Sequence, residues 1–372
     1  MQLGIVNIVL KLRRTIILTD LFRNDIYYRR NEVRFMIEYA TFLRALAAIL
    51  ITNSHYTGVY PINIIASGGL LGDVMFFTLS GFVLINIKEN FVNWYKKRLI
   101  RIYPSIWIIT LVYILLGFYT FENCSIGSYF LYPTYYHFIA SIVVLYIPYY
   151  LIAKNDYLRN RVPLIMLSTF IIQLIIYLFF YDKTYYHIDT VREPMIRFLF
   201  FQSMLMGLYF RINHTKYLNN KNTSNWIFLT LALVVYFGTK LAFVRFEQIS
   251  EFQIINHMIL IISLYYMFKS FSSANKYLVN LPQIVRKFSS FLAKITLQIY
   301  AVQYVIIPRF AHIIFPLNWI VITSLIVISA YILYLVGTKV SDYLQKLVDG
   351  LISKINKKEV CLDEKVDVDR CF

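Results

Sequence analysis

The stretch LRALAAILITNSHYTG, residues 43–58, is apolar enough for a membrane helix, yet it carries Arg44 and His55. Eleven helical residues turn through about 1100°, roughly 20° past three full turns. The two polar side chains are therefore predicted to share one helix face, separated by about 16 Å of rise. Ionisable groups inside membrane helices usually face the bundle interior or a water-filled cavity, so this face indicates a functional interior.

Each of these residues also has a simpler interpretation. Arg44 lies near one end of the predicted span, where its aliphatic stem could extend to the lipid headgroups. His55 could be a hydrogen-bonded histidine at the opposite membrane boundary. Together on one face, the two residues favour an arginine that holds an anion and a histidine that transfers a proton.

The composition indicates a membrane protein. The chain has 372 residues, of which 59% are hydrophobic and 15% are charged, whereas about 25% charged residues is usual in soluble domains. Runs of 18 or more mostly apolar residues are long enough to span a bilayer. We therefore predict an all-α polytopic helical bundle in a single membrane domain. Its ten predicted spans are residues 40–60, 69–87, 104–121, 135–153, 162–181, 195–210, 226–244, 253–271, 289–307 and 316–337.

The basic residues predict the orientation of these spans. Of the 37 lysines and arginines, 29 fall before the first span, in alternate loops or in the tail, and 4 fall in the other loops. Cytoplasmic loops are rich in Lys and Arg, so both termini are predicted to be cytoplasmic. The formal charge of +17 then reflects the basic residues that line the cytoplasmic loops, and nucleic-acid binding is excluded as an interpretation.

The two ends of the chain differ from the predicted membrane domain, residues 38–338. Residues 1–37 are basic with apolar interruptions and lack the plan of a signal peptide. They predict either an interfacial amphipathic helix or a misassigned start, because Met36 leads directly into the first span. The charged cytoplasmic tail, residues 339–372, begins with helical periodicity and is predicted to become disordered.

Asp73 is the clear acidic residue inside a predicted span. It lies at the outer end of the second span, where it could meet His55, fix the tautomer of the imidazole and raise its basicity. Alternatively, Asp73 only caps the start of its helix. Nearby Gly72, Ser80 and Gly81 leave room for close helix packing or for a substrate.

The segment NFVNWYKKRLIRIYPSIWI, residues 90–108, precedes and enters the third span. Arg98 and Arg101 are three residues apart, so their guanidinium groups can converge on one anion. Phosphate suits this geometry because guanidinium forks pair with phosphate oxygens. The alternative is a basic flank beside anionic lipid. The cysteines and histidines show no metal-binding spacing, and no metal is expected.

Three motifs in this order resemble those of the integral-membrane acyltransferase-3 family, which includes polysaccharide O-acetyltransferases of bacterial envelopes. They are R-x10-H at residues 44–55, FF-x-x-SG at 76–81 and R-x-x-R-I-x-P at 98–104. The segment FFQSMLMGLYFRI, residues 200–212, is similar to a later glycine-bearing span of the family. The resemblance covers about residues 38–337.

The resemblance implies a donor and a base. Acyl-CoA is expected as co-substrate, with acetyl-CoA as the expected donor and no permanently bound cofactor. Arg98 and Arg101 are expected to hold its phosphates, and Arg44 to orient its thioester or pantetheine end. His55 is expected to deprotonate an acceptor hydroxyl or to carry the acyl group transiently, and Asp73 is its expected catalytic partner.

The resemblance also implies an acceptor: a hydroxyl of an envelope polysaccharide or lipid-linked sugar, such as O-antigen or capsule. The protein is then expected in the bacterial cytoplasmic (inner) membrane. Asn53, Ser80 and Gln303 are candidate substrate-binding residues. Gln303 stands where histidine is common in the family, and Thr41 stands where the family often has an acid.

Two other classes of function compete with this interpretation. A transporter or flippase of envelope glycolipids fits the span number but needs neither the arginine–histidine face nor the arginine pair. A membrane glycosyltransferase or polymerase generally uses large outer loops, whereas the longest predicted outer loop, residues 182–194, is short.

Overall fold

The computed structural model describes residues 27–30, 33–122, 125–190, 194–218, 220 and 222–368. The interfacial helix predicted near the N-terminus falls mainly on residues 1–26, outside the described residues. Just before the membrane domain, β1 (Tyr27–Arg30) and β2 (Val33–Met36) form a short antiparallel ribbon that pairs Tyr27 with Met36. This part of the N-terminal segment is therefore extended rather than helical.

The remainder of the described chain is predominantly helical, which confirms the predicted all-α membrane bundle. Its longer helices are α1 (Glu38–Ser54), α2 (Gly69–Val83), α3 (Phe91–Leu115), α4 (His137–Lys154), α5 (Val162–Phe180), α6 (Pro194–Ile212), α7 (Ser224–Arg245), α8 (Ile254–Ser273), α9 (Gln283–Lys294), α10 (Thr296–Phe310) and α11 (Leu317–Val368). Short helical turns lie between them at Asn63–Ile65, Gly127–Leu131, Asp156–Arg159, His214–Tyr217, Glu247–Phe252 and Asn275–Val279.

The number of spans differs from the predicted ten. Among the described residues, eight helices are long and apolar enough to cross a membrane, or nine if the bent pair of α9 and α10 counts as one span. The first predicted span, residues 40–60, is reduced to α1, which has 17 residues. At 1.5 Å per residue α1 is about 26 Å long, near the lower limit for spanning a bilayer.

The predicted span 289–307 is not one straight helix. The chain bends by 70° at the break between α9 and α10. Helix α9 has Arg286 and Lys287 beside the exposed apolar side chains Ile284 and Phe288. This amphipathic pattern suits a helix at the membrane interface, whereas α10 is predominantly apolar, and a simple search for apolar runs merges the two.

The last helix also differs from the prediction. Helix α11 runs without interruption from Leu317 to Val368 and covers both the tenth span and most of the tail. The prediction of a disordered end is wrong for the backbone up to Val368. The tail lacks proline, and its many Lys, Leu and Glu residues are good helix formers.

The chain divides into two compact units. Unit 1 comprises Met1–Ile51, Gly68–Ile85 and Asp156–Thr296, and unit 2 comprises Thr52–Ser67, Asn86–Asn155 and Leu297–Phe372. Within unit 1, α2 and α6 pack backbone to backbone, and Phe77 stacks on Phe200 with ring centroids 4.2 Å apart. Within unit 2, Gly337 of α11 lies directly against Ser105 of α3.

Candidate active site

In unit 1, two of the predicted site residues, Arg44 and Ser80, both contact Phe76. The Arg44 guanidinium carbon lies 5.6 Å from the centroid of the Phe76 ring, a cation–π geometry. The Ser80 hydroxyl donates a 2.9 Å hydrogen bond to the Phe76 carbonyl, four residues earlier in α2. Because this bond uses the hydroxyl proton, Ser80 Oγ can still accept a hydrogen bond from a ligand.

Asp73 lies one turn inside α2 and is only 8% exposed. The interpretation of Asp73 as a helix cap is therefore wrong: Gly68 occupies the N-cap, and no side chain caps the helix there. At the adjacent Gly72, a Cβ would lie 2.8 Å from the Ala47 carbonyl oxygen. This close packing of α1 on α2 explains the glycine and makes Asp73 a buried acid beside a tight helix crossing.

In unit 2, His55 lies in the turn immediately after α1. Its backbone N–H donates to the Thr52 carbonyl at 3.1 Å. Its ring packs edge to face against Tyr304 of α10, with centroids 5.3 Å apart and planes at 69°. Tyr304 in turn packs against Tyr136 and Tyr300. A side chain in a turn would otherwise sample several rotamers, so this aromatic group orients the imidazole.

Asn53 uses its amide to hold the loop that follows His55. Its Nδ2 donates to the carbonyls of Ile65 at 2.8 Å and Ser67 at 3.0 Å, and its Oδ1 accepts from the Tyr60 hydroxyl at 2.8 Å. These bonds occupy both amide hydrogens and one carbonyl lone pair. Asn53 thus shapes the wall next to His55, and its predicted direct contact with substrate stays a prediction.

Gln303 has the most unusual polar environment among the predicted residues. The side chain is fully buried on α10, one residue before Tyr304. Neither its amide nitrogen nor its amide oxygen has a hydrogen-bond partner among the described residues. A buried unpaired amide costs about 1–3 kcal/mol, so Gln303 is well suited to bind a polar ligand.

The two predicted phosphate-binding arginines belong to a longer stripe on α3. Helical geometry places Trp94, Arg98, Arg101 and Ser105 within about 60° of one another around the axis and along roughly 16 Å. The Arg98 guanidinium lies 5.4 Å from the Trp94 ring centroid, and Arg101 is exposed. Arg98 Nε and Trp94 Nε1 are buried donors without partners in the described part of the chain.

The far end of this stripe joins α10. Ser105 Oγ accepts a 3.0 Å hydrogen bond from Gln298 Nε2, while Gln298 Oε1 is buried without a partner among the described residues. Trp94, Ser105, Gln298 and the ring of Tyr304 were not predicted as site residues. The eleven-residue spacing of Trp94 and Ser105 was visible in the sequence, but their contacts with α10 depend on the fold.

The predicted residues thus fall into two sets. Arg44, Asp73 and Ser80 belong to unit 1, whereas Asn53, His55, Arg98, Arg101 and Gln303 belong to unit 2. The predicted pairing of His55 with Asp73 joins residues of different units and stays a prediction. Within the residues that the structure describes, no group of His, Cys, Asp and Glu is arranged to hold a metal ion.

Comparison with protein families identifies the type of enzyme. A family model described as an acyltransferase domain matches residues 37–338. Neither curated proteins nor solved structures give a significant match to the chain. The matched region contains α1 to α10 and all the candidate residues above. The chain is therefore a multi-pass membrane protein that belongs to the acyltransferase-3 family.

Proposed function

We propose that the protein transfers an acetyl group from cytoplasmic acetyl-CoA to a hydroxyl of an envelope polysaccharide or lipid-linked sugar. The observation that carries the donor assignment is the α3 stripe. It combines two arginines at i, i+3 with buried donors on Trp94 and Arg98 that have no hydrogen-bond partner among the described residues. Acetyl-CoA has phosphates that suit the arginines and amide groups that suit the uncharged partners.

Each part of the stripe has a proposed role. Arg98 and the exposed Arg101 bind CoA phosphates at the cytoplasmic end. Gln298 and Gln303, both on α10, have amide atoms without a partner in the described part of the chain, and they offer these atoms to the uncharged part of the donor or to the acceptor. Arg44 retains its predicted role of orienting the acyl end of acetyl-CoA.

His55 is the proposed general base. Its imidazole accepts the proton of the acceptor hydroxyl as the hydroxyl oxygen attacks the thioester carbonyl carbon. The carbon–sulfur bond then breaks, the sulfur leaves with the bonding electrons, and His55 returns the proton to it as CoA–SH. The products are the acetyl ester and free CoA. Asp73 is the proposed partner that raises the basicity of the imidazole.

An acceptor in the bacterial envelope accords with a catalytic histidine near the predicted outer ends of the spans. The cytoplasmic (inner) membrane is the proposed location because it is accessible to cytoplasmic acetyl-CoA and to lipid-linked glycans. Membership of an acyltransferase family disfavours the transporter, flippase and glycosyltransferase alternatives.

The test is transfer of labelled acetyl groups by the purified protein in nanodiscs, supplied with acetyl-CoA and an envelope-glycan extract. His55→Ala is expected to lower turnover by about 10²–10⁴-fold, the usual contribution of general-base catalysis. The double variant Arg98→Ala/Arg101→Ala is expected to raise the KM for acetyl-CoA, because it removes two phosphate ligands.

Matched controls make the test specific. His312→Ala removes an exposed histidine, and Lys88→Ala/Lys97→Ala removes two exposed cations from the same cytoplasmic segment as the arginine pair. Both controls are expected to behave like the unaltered protein. Equal turnover in His55→Ala and the unaltered protein would show that the catalytic base lies elsewhere. If Lys88→Ala/Lys97→Ala raised the KM for acetyl-CoA as much as Arg98→Ala/Arg101→Ala, the arginines would contribute only general charge attraction.

A further inference from the structure

Four aromatic rings form a continuous stack in unit 1, at the end of α5 and in the loop that follows it. Tyr177 stacks on Tyr181 at 5.3 Å, Tyr181 on His187 at 4.7 Å, and His187 on Tyr185 at 4.2 Å, with interplanar angles of 28°, 15° and 25°. Tyr177 and His187 are buried, and Tyr181 between them is partly buried. Tyr185, the last ring of the stack, is 52% exposed, so it presents a supported aromatic surface to the surroundings.

The loop that carries this stack is held by side-chain hydrogen bonds from the region of α8. Gln253 Oε1 accepts from the backbone N–H groups of His187 and Ile188, both at 2.9 Å, and Gln253 Nε2 donates to the Tyr185 carbonyl at 2.9 Å. Ser250 Oγ donates to the Lys183 carbonyl at 2.8 Å. The exposed Tyr185 is therefore on a preorganised loop.

Further contacts hold the two ends of the loop. The Tyr177 hydroxyl donates to the Glu251 carbonyl at 2.6 Å, and Lys240 forms an ion pair with Asp189. His187 Nδ1 lies 2.9 Å from the Tyr185 carbonyl. A carbonyl can only accept, so Nδ1 carries the proton, and the imidazole is held beside the Tyr185 ring.

The residues next to Tyr185 are polar. Asp182 is exposed and accepts two hydrogen bonds from Thr184, at 3.0 Å from the backbone N–H and 2.7 Å from the hydroxyl. These bonds, and then the nearby His187, lower the pKa of Asp182, so its carboxylate is charged at neutral pH. With Lys183 adjacent, this is the surface of a water-exposed loop rather than one that faces lipid chains.

We propose that this loop is a carbohydrate-binding platform, on which a pyranose ring of the acceptor glycan stacks against Tyr185 while Asp182 accepts hydrogen bonds from its hydroxyls. The distribution of basic residues assigns the loop to the outer face, where an envelope glycan is available. The platform rests on the proposed function, because it supplies the acceptor for that reaction. It assigns a role to residues that the donor site and the catalytic histidine leave unused.

The physical basis is the pairing of an aromatic face with a flat sugar face. A pyranose presents C–H groups on its ring faces and hydroxyls at its edge, so a half-exposed aromatic ring with a neighbouring carboxylate matches both. Because the loop is already ordered, binding has little loop-ordering entropy to overcome. The stack also supports the Tyr185 ring from behind by aromatic packing.

The experiment measures acceptor binding and transfer separately. Lipid-free oligosaccharides released from bacterial O-antigen and capsule are titrated into the full-length protein in nanodiscs by calorimetry, without acetyl-CoA. Acetyl transfer is then measured with either acetyl-CoA or the oligosaccharide varied. Tyr185→Ala is expected to weaken oligosaccharide binding and raise the acceptor KM by about twofold to tenfold, the range of one aromatic contact, and to leave the KM for acetyl-CoA unchanged.

Two further variants test whether the effect comes from an aromatic ring at position 185. Tyr185→Trp keeps an aromatic face and is expected to retain binding. Tyr343→Ala removes another exposed tyrosine, on α11, and is expected to have no effect. Unchanged oligosaccharide binding in Tyr185→Ala, or equal loss in Tyr185→Ala and Tyr185→Trp, would overturn the platform. Oligosaccharide binding that depends on Tyr185 with no acetyl transfer by the unaltered protein would instead retain the platform and refute the acetyl-transfer proposal.

Discussion

Gln303 has a side-chain amide that is fully buried and unpaired among the described residues. We predict that Gln303→Met raises the apparent melting temperature in detergent, because it removes a buried polar group without a partner. The same change should lower acetyl transfer if the amide binds donor or acceptor. Increased stability together with reduced activity is typical of residues kept for function.

The matched control for Gln303 is Gln173, a second fully buried glutamine. Gln173 is paired: its Nε2 lies 2.8 Å from His257 Nδ1, and its Oε1 accepts from Gln202 at 2.8 Å. Gln173→Met should therefore lower the melting temperature, because it leaves two buried partners unpaired. If Gln303→Met instead lowered the melting temperature, the Gln303 amide would have a structural role. If Gln303→Met left acetyl transfer unchanged, the amide would not contact donor or acceptor.

In the sequence, Gln303 stands out only because it occupies a position of a family motif. Its unpaired amide could not be predicted, because pairing depends on residues brought close by the fold. Similarly, Asn53 is polar and adjacent to His55 in sequence, but its amide is used by a loop more than ten residues away.

At the scale of helices, the FF-x-x-SG motif acts mainly as a packing motif. A Cβ on Gly81 of α2 would overlap the backbone of Met204, and one on Gly207 of α6 would overlap the Thr78 carbonyl. We predict that Gly81→Ala and Gly207→Ala each destabilise the protein by about 1–3 kcal/mol or more, the usual cost of overpacking. The measurement is thermal unfolding in detergent.

Gly238 on α7 provides the matched control. A Cβ there would have open space around it, so Gly238→Ala should be neutral or slightly stabilising, as alanine is the better helix former. If all three variants unfolded at the same temperature, close packing of α2 on α6 would not be the reason for the glycines.

Helix boundaries were less predictable than helix existence. Nine predicted spans overlap the spanning helices and the bent pair, because long apolar runs are a strong local signal. The sequence gives no clear signal for the break between α9 and α10, because apolar residues continue through Ile295. In α9 these apolar residues occupy one face of the helix, and polar residues occupy the other at helical spacing.

At the scale of the whole molecule, the charge distribution predicts that both termini and the loop at Lys88 face the cytoplasm. Cysteine labelling can test this in a variant with Cys124, Cys361 and Cys371 replaced by serine. A membrane-impermeant maleimide applied to intact cells should label Thr190→Cys, on the predicted outer side. Lys88→Cys and Lys276→Cys should react only after the cells are opened.

Labelling of Lys88→Cys in intact cells would reverse the orientation and place the α3 stripe away from cytoplasmic acetyl-CoA. Labelling of Thr190→Cys only in opened cells would remove the carbohydrate platform from the outer face. The cytoplasmic assignment of the donor end and the outer assignment of the acceptor end are therefore tested by one set of variants.

The sequence alone determined the membrane class, the orientation prediction and the motif residues, because these depend on composition and on spacing along one helix. Only the tertiary structure decided which polar atoms lack partners, why Gly81 and Gly207 are glycines, and how the rings from Tyr177 to Tyr185 stack. Those properties depend on groups far apart in sequence: Gln253 holds a loop about 66 residues earlier, and Gln298 bonds Ser105 across 193 residues. Local periodicity has no information about such partners, since the packing of whole helices determines which of them meet.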